Sequence, residues 1–243
     1  MMNNSAYTTL SKYYDRLMSG YDYGQAFEFV LQNVKDKTKG VDIACGSGKF
    51  AIELAKHGKK VFGIDNSQQM LNEAANNAKS EAQNVVFVYG DMEELELPKI
   101  DFAVAMCDAV NYLPNKKSIR NFFSAVYKAL SDFGVFIFDV SSIYKLNKLI
   151  ENSPYYEDYD DLTVLWTNSK NSNRYTMDLS FFVKDKDVYK RFDERHVQCA
   201  YSYGELETIL KECGFGNIKV LSDKFTAPYS RSKRYYFSAV KNG

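Results

Sequence analysis

Two glycines, three acids and the spacing between them carry the first chemistry legible in this sequence. The stretch Val41-Asp42-Ile43-Ala44-Cys45-Gly46-Ser47-Gly48-Lys49-Phe50 reads as a buried strand that opens through a glycine turn into a helix. Glycine at such a turn lets the backbone approach a ligand closely. With Ala51 the stretch also satisfies G-x-G-x-x-[GA], so a dinucleotide site is one reading of it. Asp65 follows Gly46 by nineteen residues, at the end of the second strand, where a carboxylate accepts from ribose hydroxyls. Asp91, in Tyr89-Gly90-Asp91-Met92, lies just past the third strand. There an acid accepts from the exocyclic amine of adenine while Met70 and Met92 sandwich the base. Acids after three successive strands suit a cationic ligand better than a pyrophosphate, which Asp42 would repel.

The elements that must position these residues follow an α/β rhythm from Gly40 onward. Strands are expected at 41–44, 61–64, 85–89, 101–106 and 135–140, separated by segments of helical period. Ser67 is suited to cap the helix that carries Met70, Leu71, Ala74 and Ala75. The rhythm then changes, because 162–166, 174–183 and 188–201 alternate with period two and have no helix between them. Tyr175, Met177, Leu179, Phe181 and Val183 share one face of this antiparallel insertion, and that face must cover something apolar. Ser202 and Glu205 have capping-box spacing and open a last helix, and two final strands near 218–221 and 235–240 complete the sheet.

The chain has 243 residues, 45% hydrophobic and 26% charged, with 31 basic and 31 acidic side chains that cancel. That balance belongs to a globular protein and gives no field favouring nucleic acid or an anionic membrane, so neither partner is expected. No apolar run approaches the ~20 residues of a membrane span, and the polar start 1–5 has no signal-peptide core, so a cytoplasmic location is expected. The four cysteines show no C-x-x-C spacing and only His57 and His196 could join them, so no metal site is expected. Tyr (19) and Phe (17) are abundant. Most of them are read as strand formers and core filler.

Taken together, these motifs resemble the class I S-adenosylmethionine-dependent methyltransferases. Asp42 through Gly48 matches the family's glycine motif, and Gly63-Ile64-Asp65-Asn66-Ser67 through Met70-Leu71 looks like its second motif. Gly90-Asp91-Met92 looks like the adenine motif, and Asp101 through Leu113 resembles the strand-four motif. Leu130-Ser131-Asp132-Phe133-Gly134-Val135 is similar to the turn before strand five, with Ser, Asp and Phe in place of Arg, Pro and the first Gly. Tyr13 through Met18 with Asp22-Tyr23 looks like the N-terminal lid of small-molecule enzymes, the glycine and amino-sugar N-methyltransferases. The resemblance implies a three-layer, doubly wound, Rossmann-like sheet of seven strands with an antiparallel insertion after strand five. Residues 1–34 would form a helical lid, 35–141 and 202–243 the cofactor-binding α/β domain, and 142–201 the insertion that roofs the substrate pocket.

The cofactor implied is S-adenosylmethionine, bound by Tyr14, Tyr23, Asp42, Ala44, Cys45, Gly46, Gly48, Asp65, Asn66, Met70, Gly90, Asp91, Met92, Cys107, Asp108 and Tyr112. The reaction implied is methyl transfer to a nitrogen or oxygen of a small-molecule acceptor by a monomer or homodimer. Two other readings stand beside it, a nicotinamide-dependent oxidoreductase on a similar fold and a non-catalytic protein that binds the same cofactor. Cys45 and Cys107 read as small buried residues and not as nucleophiles. His196 shares an alternating face with Phe192, Glu194 and Gln198. Solvent exposure is the commoner arrangement for such a face; if it looks into a pocket, His196 or Tyr14 becomes the proton acceptor. The basic groups around Lys116 and around Arg231, Lys233 and Arg234 read as solvated surface.

Overall fold

The computed structural model describes Tyr13, residues 16–81 and residues 83–243. A seven-stranded sheet runs through the middle in the order β3-β2-β1-β4-β5-β11-β10. Its strands are β1 (Lys39–Ile43), β2 (Lys60–Asp65), β3 (Val86–Tyr89), β4 (Ile100–Ala105), β5 (Leu130–Ser141), β10 (Phe215–Ser222) and β11 (Arg234–Lys241). β1 to β5 pair in parallel, and β11 is antiparallel to both β5 and β10. Parallel strands covered on both faces need continuous apolar runs, and β1, β4 and β5 supply them.

Helices close both faces. On one side α1 (Tyr23–Asn33) and α2 (Lys49–Lys56) bury Ala26, Phe29, Val30, Phe50 and Leu54 against Val104, Ile137 and Tyr236. α3 (Gln68–Ser80) lies beside α2, capped by Ser67, whose hydroxyl accepts the Met70 N–H. On the other side α4 (Lys116–Ala129) and α6 (Tyr203–Glu212) bury Ile119, Phe122, Phe123, Leu206 and Leu210. Phe136, Phe138 and Phe237 stack there, with Phe138 and Phe237 parallel at 4.5 Å. Burial of each such ring contributes about 1.5–3 kcal/mol. The capping box of Ser202 and Glu205 forms as its spacing predicts.

Between β5 and α6 the chain adds a second sheet, the antiparallel meander β6 (Tyr155–Asp158), β7 (Leu162–Asn171), β8 (Arg174–Asp185) and β9 (Val188–Cys199). Its inner face buries Met177, Leu179 and Phe181 against Leu162, Val164 and Met70 of α3, with Tyr13 and Leu17 packed alongside. That answers what the alternating face has to cover. Two features of this region escape the sequence reading: the fourth strand β6 and the helix α5 (Ile143–Glu151) that precedes it. α5 is only nine residues long, yet its apolar residues Ile143, Leu146, Leu149 and Ile150 recur at helical spacing. No helix among the described residues is long and apolar enough to cross a membrane.

Candidate active site

The sheet order reverses between β1 and β4, so a crevice opens beyond the carboxyl ends of these two strands. After β1 the backbone turns through Ala44 (φ 55°), Gly46 (φ 53°) and Gly48 (φ 82°). A Cβ on Gly48 would come within 2.8 Å of the Phe87 ring and 3.0 Å of the Ala74 Cβ, so dihedral and packing both demand glycine. Asp42 is buried beneath the turn and accepts the Ala51 N–H at 3.0 Å. Burial, with Asp65 adding to it, pushes the Asp42 carboxyl up to about 8. Burial likewise pushes the neighbouring Cys45 thiol up, as befits a packing residue.

Asp65 holds the turn from β2. Its Oδ2 accepts the Gly46 N–H at 2.8 Å and its Oδ1 accepts the Ser67 N–H at 2.9 Å. Burial raises this carboxyl as well. The Asn66 N–H also bonds to this carboxylate, so of its roughly four acceptor directions about one remains for a ligand. At the end of β3, Asp91 is exposed, accepts the Glu93 N–H at 2.9 Å and accepts from Asn66 Nδ2 at 3.4 Å.

A cavity of about 970 Å³ extends from this turn to the underside of the second sheet. It lies at the upper end of the roughly 300–1,000 Å³ found for ligand pockets, enough for two ligands side by side. Ala44, Gly46, Asp65, Asn66, Met70 and Met92 line one end. Cys107, Asp108 and Tyr112 line the middle, and Trp166, Met177 and His196 the roof. Gly48, Asp42, Cys45, Gly90 and Asp91 stand behind this lining and shape it. Tyr23 also stands back, packed 4.7 Å from the ring of Tyr21, with its hydroxyl 3.9 Å from the Cys107 thiol. Tyr14 lies outside the described residues.

Where β4 ends, Cys107 (φ 58°) and Asp108 (φ 67°) both adopt the left-handed conformation, which costs side-chain-bearing residues of order 1–2 kcal/mol each. A buried charge cluster holds them there. The Asp108 N–H donates to Asp139 Oδ1 at 2.9 Å, and the Asp108 carboxylate pairs with Arg234 and, at 3.7 Å, with Lys145. Arg234 also donates to Asp139 Oδ2 at 2.6 Å, where the Tyr21 hydroxyl donates at 2.9 Å. Burial pushes the Asp108 carboxyl up, but Arg234 and Lys145 outweigh it and hold the group at about 2. Burial pushes Asp139 up and Lys145 down. Arg234, read from sequence as solvated surface, is 6% exposed. Its position in β11 points it inward, and buried charges of this kind persist only when paired.

The sequence alone favoured a solvent-facing His196, and the structure corrects that reading. The ring is 5% exposed and lines the cavity. Its Nδ1 lies 3.3 Å from the Tyr112 hydroxyl and its Nε2 lies 3.4 Å from Glu194 Oε2. Alternation in β9 put Glu194, His196 and Gln198 on one face, and all three are buried, whereas Phe192 nearer the hairpin is exposed. On the opposite face Arg195 pairs with Asp178 at 2.6 Å, and Ser180 donates to Asp193.

The geometry has counterparts among known proteins. A family model described as a methyltransferase domain matches residues 41–134. YqeM of Bacillus subtilis, whose name marks it provisionally as a methyltransferase, is 34% identical over 241 residues, 97% of each chain. The chain belongs to the S-adenosylmethionine-dependent methyltransferases. The methyltransferase is also similar to the crystal structure of an S-adenosylmethionine-dependent methyltransferase from Clostridium acetobutylicum, at 29% identity and a TM-score of 0.88, covering 98% of this chain and 99% of that one. The sugar N-methyltransferase KedS8 from Streptoalloteichus shares its fold at 16% identity and a TM-score of 0.74, over 95% of this chain and 93% of that one.

S-adenosylmethionine is thus the methyltransferase's cofactor, and the residues at the glycine turn fit it: a cradle that a Cβ at Gly48 would fill, with the Asp65 carboxyl at the cavity's edge. The sequence reading missed Tyr21, Asp139, Lys145 and Arg234. Asp139 alone left a signal, as a lone acid inside the apolar run Val135–Val140.

Proposed function

We propose that this methyltransferase modifies a nitrogen or oxygen of a small molecule, with an amino sugar or related amine as the best-supported acceptor class. The observation that carries this reading is one continuous cavity, which joins the glycine turn to a roof where His196 lies beside Trp166, Met177 and Leu179. A roof built from β7, β8 and β9 over the cavity suits a compact acceptor better than a polymer, and the likeness to KedS8, a sugar N-methyltransferase, points the same way. Neither the oxidoreductase nor the non-catalytic alternative finds support in the matched proteins.

S-adenosylmethionine supplies an electrophilic methyl group on sulfur. Asp65 would accept from a ribose hydroxyl and Met70, Met92 and Asn66 would hold the adenine, with Gly90 and Asp91 shaping that end. Ala44, Cys45, Gly46 and Gly48 let the backbone meet the methionine portion, and Asp42 orders that turn from below. Cys107, Asp108 and Tyr112 would line the reacting end, with Tyr23 packed behind them. Holding the acceptor in line with the methyl is worth up to about 7–11 kcal/mol of the barrier. His196, buried at the roof, accepts the proton that the acceptor releases.

Calorimetric titration with S-adenosylmethionine, S-adenosylhomocysteine and NAD, with Asp65→Ala and Asp91→Ala beside the native chain, tests the binding assignment. The two sulfur ligands should bind and both variants should weaken them; tighter binding of NAD would overturn it. A homocysteine-release screen over amino sugars, simple amines and hydroxylated analogues tests the acceptor class, and methylation confined to RNA or protein would overturn that part.

A further inference from the structure

Asn111, fully buried, brings together three parts of the chain that are far apart in sequence. Its Nδ2 donates to the Cys199 carbonyl at 2.9 Å and to the Ser141 carbonyl at 3.3 Å, while its Oδ1 accepts the Ser141 N–H at 2.8 Å. Tyr201 adds a bond from its hydroxyl to the Leu113 carbonyl at 2.6 Å. The base of β9 is thereby fastened to the end of β5 and to the turn after β4. That fastening sets Tyr112, the neighbour of Asn111, against His196, three residues before Cys199.

We infer that Tyr112, His196 and Glu194 form a proton relay in which Tyr112 meets the acceptor, His196 stores the proton and Glu194 is a positioning residue. The inference rests on the reading of His196 as the proton acceptor and extends it to two residues to which that reading gives no proton-handling role. A carboxylate has no hydrogen to give, so Glu194 Oε2 selects the tautomer with hydrogen on Nε2. Nδ1 then presents its lone pair to the Tyr112 hydroxyl. Tyr112 and His196 both line the cavity, whereas the Glu194 side chain is only 2% exposed and does not. The Tyr112 contact is a long hydrogen bond at 3.3 Å, whereas Nε2 and Glu194 Oε2 sit 3.4 Å apart without hydrogen-bonding to each other; catalytic contacts of this kind tighten when ligands fill a site.

The step balances. The acceptor nitrogen forms its bond to the methyl carbon as the carbon–sulfur bond breaks, and that electron pair returns to sulfur. The proton on nitrogen passes to the Tyr112 oxygen while the phenolic hydrogen passes to His196 Nδ1. The positive charge lost by sulfur reappears on the imidazolium, which faces Glu194.

The chain has only two histidines, so nitrogen-15 spectra of the rings are simple, with exposed His57 as the internal reference. Spectra recorded with saturating S-adenosylhomocysteine should show His196 biased by about tenfold or more toward Nε2–H, which is what one charge-assisted bond supports. In Glu194→Gln the amide can donate to Nε2, so the Nδ1–H tautomer should appear in comparable amount. In Tyr112→Phe the bias should remain while the Nδ1 resonance alone moves. A native ring with hydrogen on Nδ1, a bias untouched by Glu194→Gln, or an Nδ1 resonance untouched by Tyr112→Phe would overturn the relay. The native spectrum decides by itself should either variant fail to bind S-adenosylhomocysteine. Failure of the cofactor assignments would instead show in calorimetry as unweakened binding by Asp65→Ala, which leaves the ring spectra unaffected.

Discussion

The two ends of the cavity are built by different means. At the turn after β1 the ligand-facing surface is mostly backbone, shaped by glycines and clamped by Asp65, and every participant lies within a few residues of a strand end. At the roof the surface is side chains on β7, β8 and β9, and it meets the strand-four turn through a contact that spans more than eighty residues of sequence, Tyr112 with His196. The first end recognises what every relative must bind. The second is free to differ from one relative to the next, because replacing a roof side chain leaves the backbone of the turn untouched.

If that division is real, substitutions at the two ends should separate binding from turnover. The largest effect is expected for Asp65→Ala, which removes one ribose bond together with the bond that clamps Gly46. At about 1.5–3 kcal/mol per charge-assisted bond, affinity for S-adenosylhomocysteine should fall by roughly 10² to 10⁴, read by calorimetry. At the other end, His196→Ala should lower kcat by about 10² or more and leave S-adenosylhomocysteine affinity within twofold. Equal losses of binding in both variants would break the comparison.

Asp42 offers a test in stability. Its carboxyl titrates at about 8 in the folded chain and near the ordinary 3.8 when unfolded. The folded form therefore binds the proton more tightly, and the stability this confers is lost as pH rises from about 4 to about 8. Asp42→Asn should remove that loss, with a gain of up to about 5 kcal/mol at pH 8 that vanishes near pH 4, measured by urea unfolding at both values. A smaller change is expected for Asp91→Ala, about tenfold in affinity, because Asp91 is exposed and stands behind the cavity lining.

The same division explains what could be read in advance. The glycine turn, Asp65, the Ser67 cap, the alternating face of β8 and the capping box at Ser202 were legible because each depends on residues adjacent or regularly spaced in sequence. Arg234 was not, since a basic residue among basic neighbours looks solvated until β11 is known to run beside β5. The buried side of His196 was equally hidden: alternation assigns a residue to a face and says nothing about which face is covered. Helix α5 carries its period in Ile143, Leu146, Leu149 and Ile150, but it is one short stretch between β5 and a run of alternating strands and was missed.

Arg16 and Asp161 meet at 2.6 Å, both half exposed, and Arg16 also lies over the ring of Tyr159. This contact ties the N-terminal segment to the loop between β6 and β7, the two stretches whose neighbours Leu17 and Glu157 border the cavity. Ion pairs so open to water hold weakly and weaken further with salt. A contact so placed predicts that release of the spent cofactor responds to salt. Raising ionic strength, or Arg16→Ala, should hasten release by a small factor in stopped-flow measurements, making the doorway and not the chemistry the salt-sensitive part of the cycle.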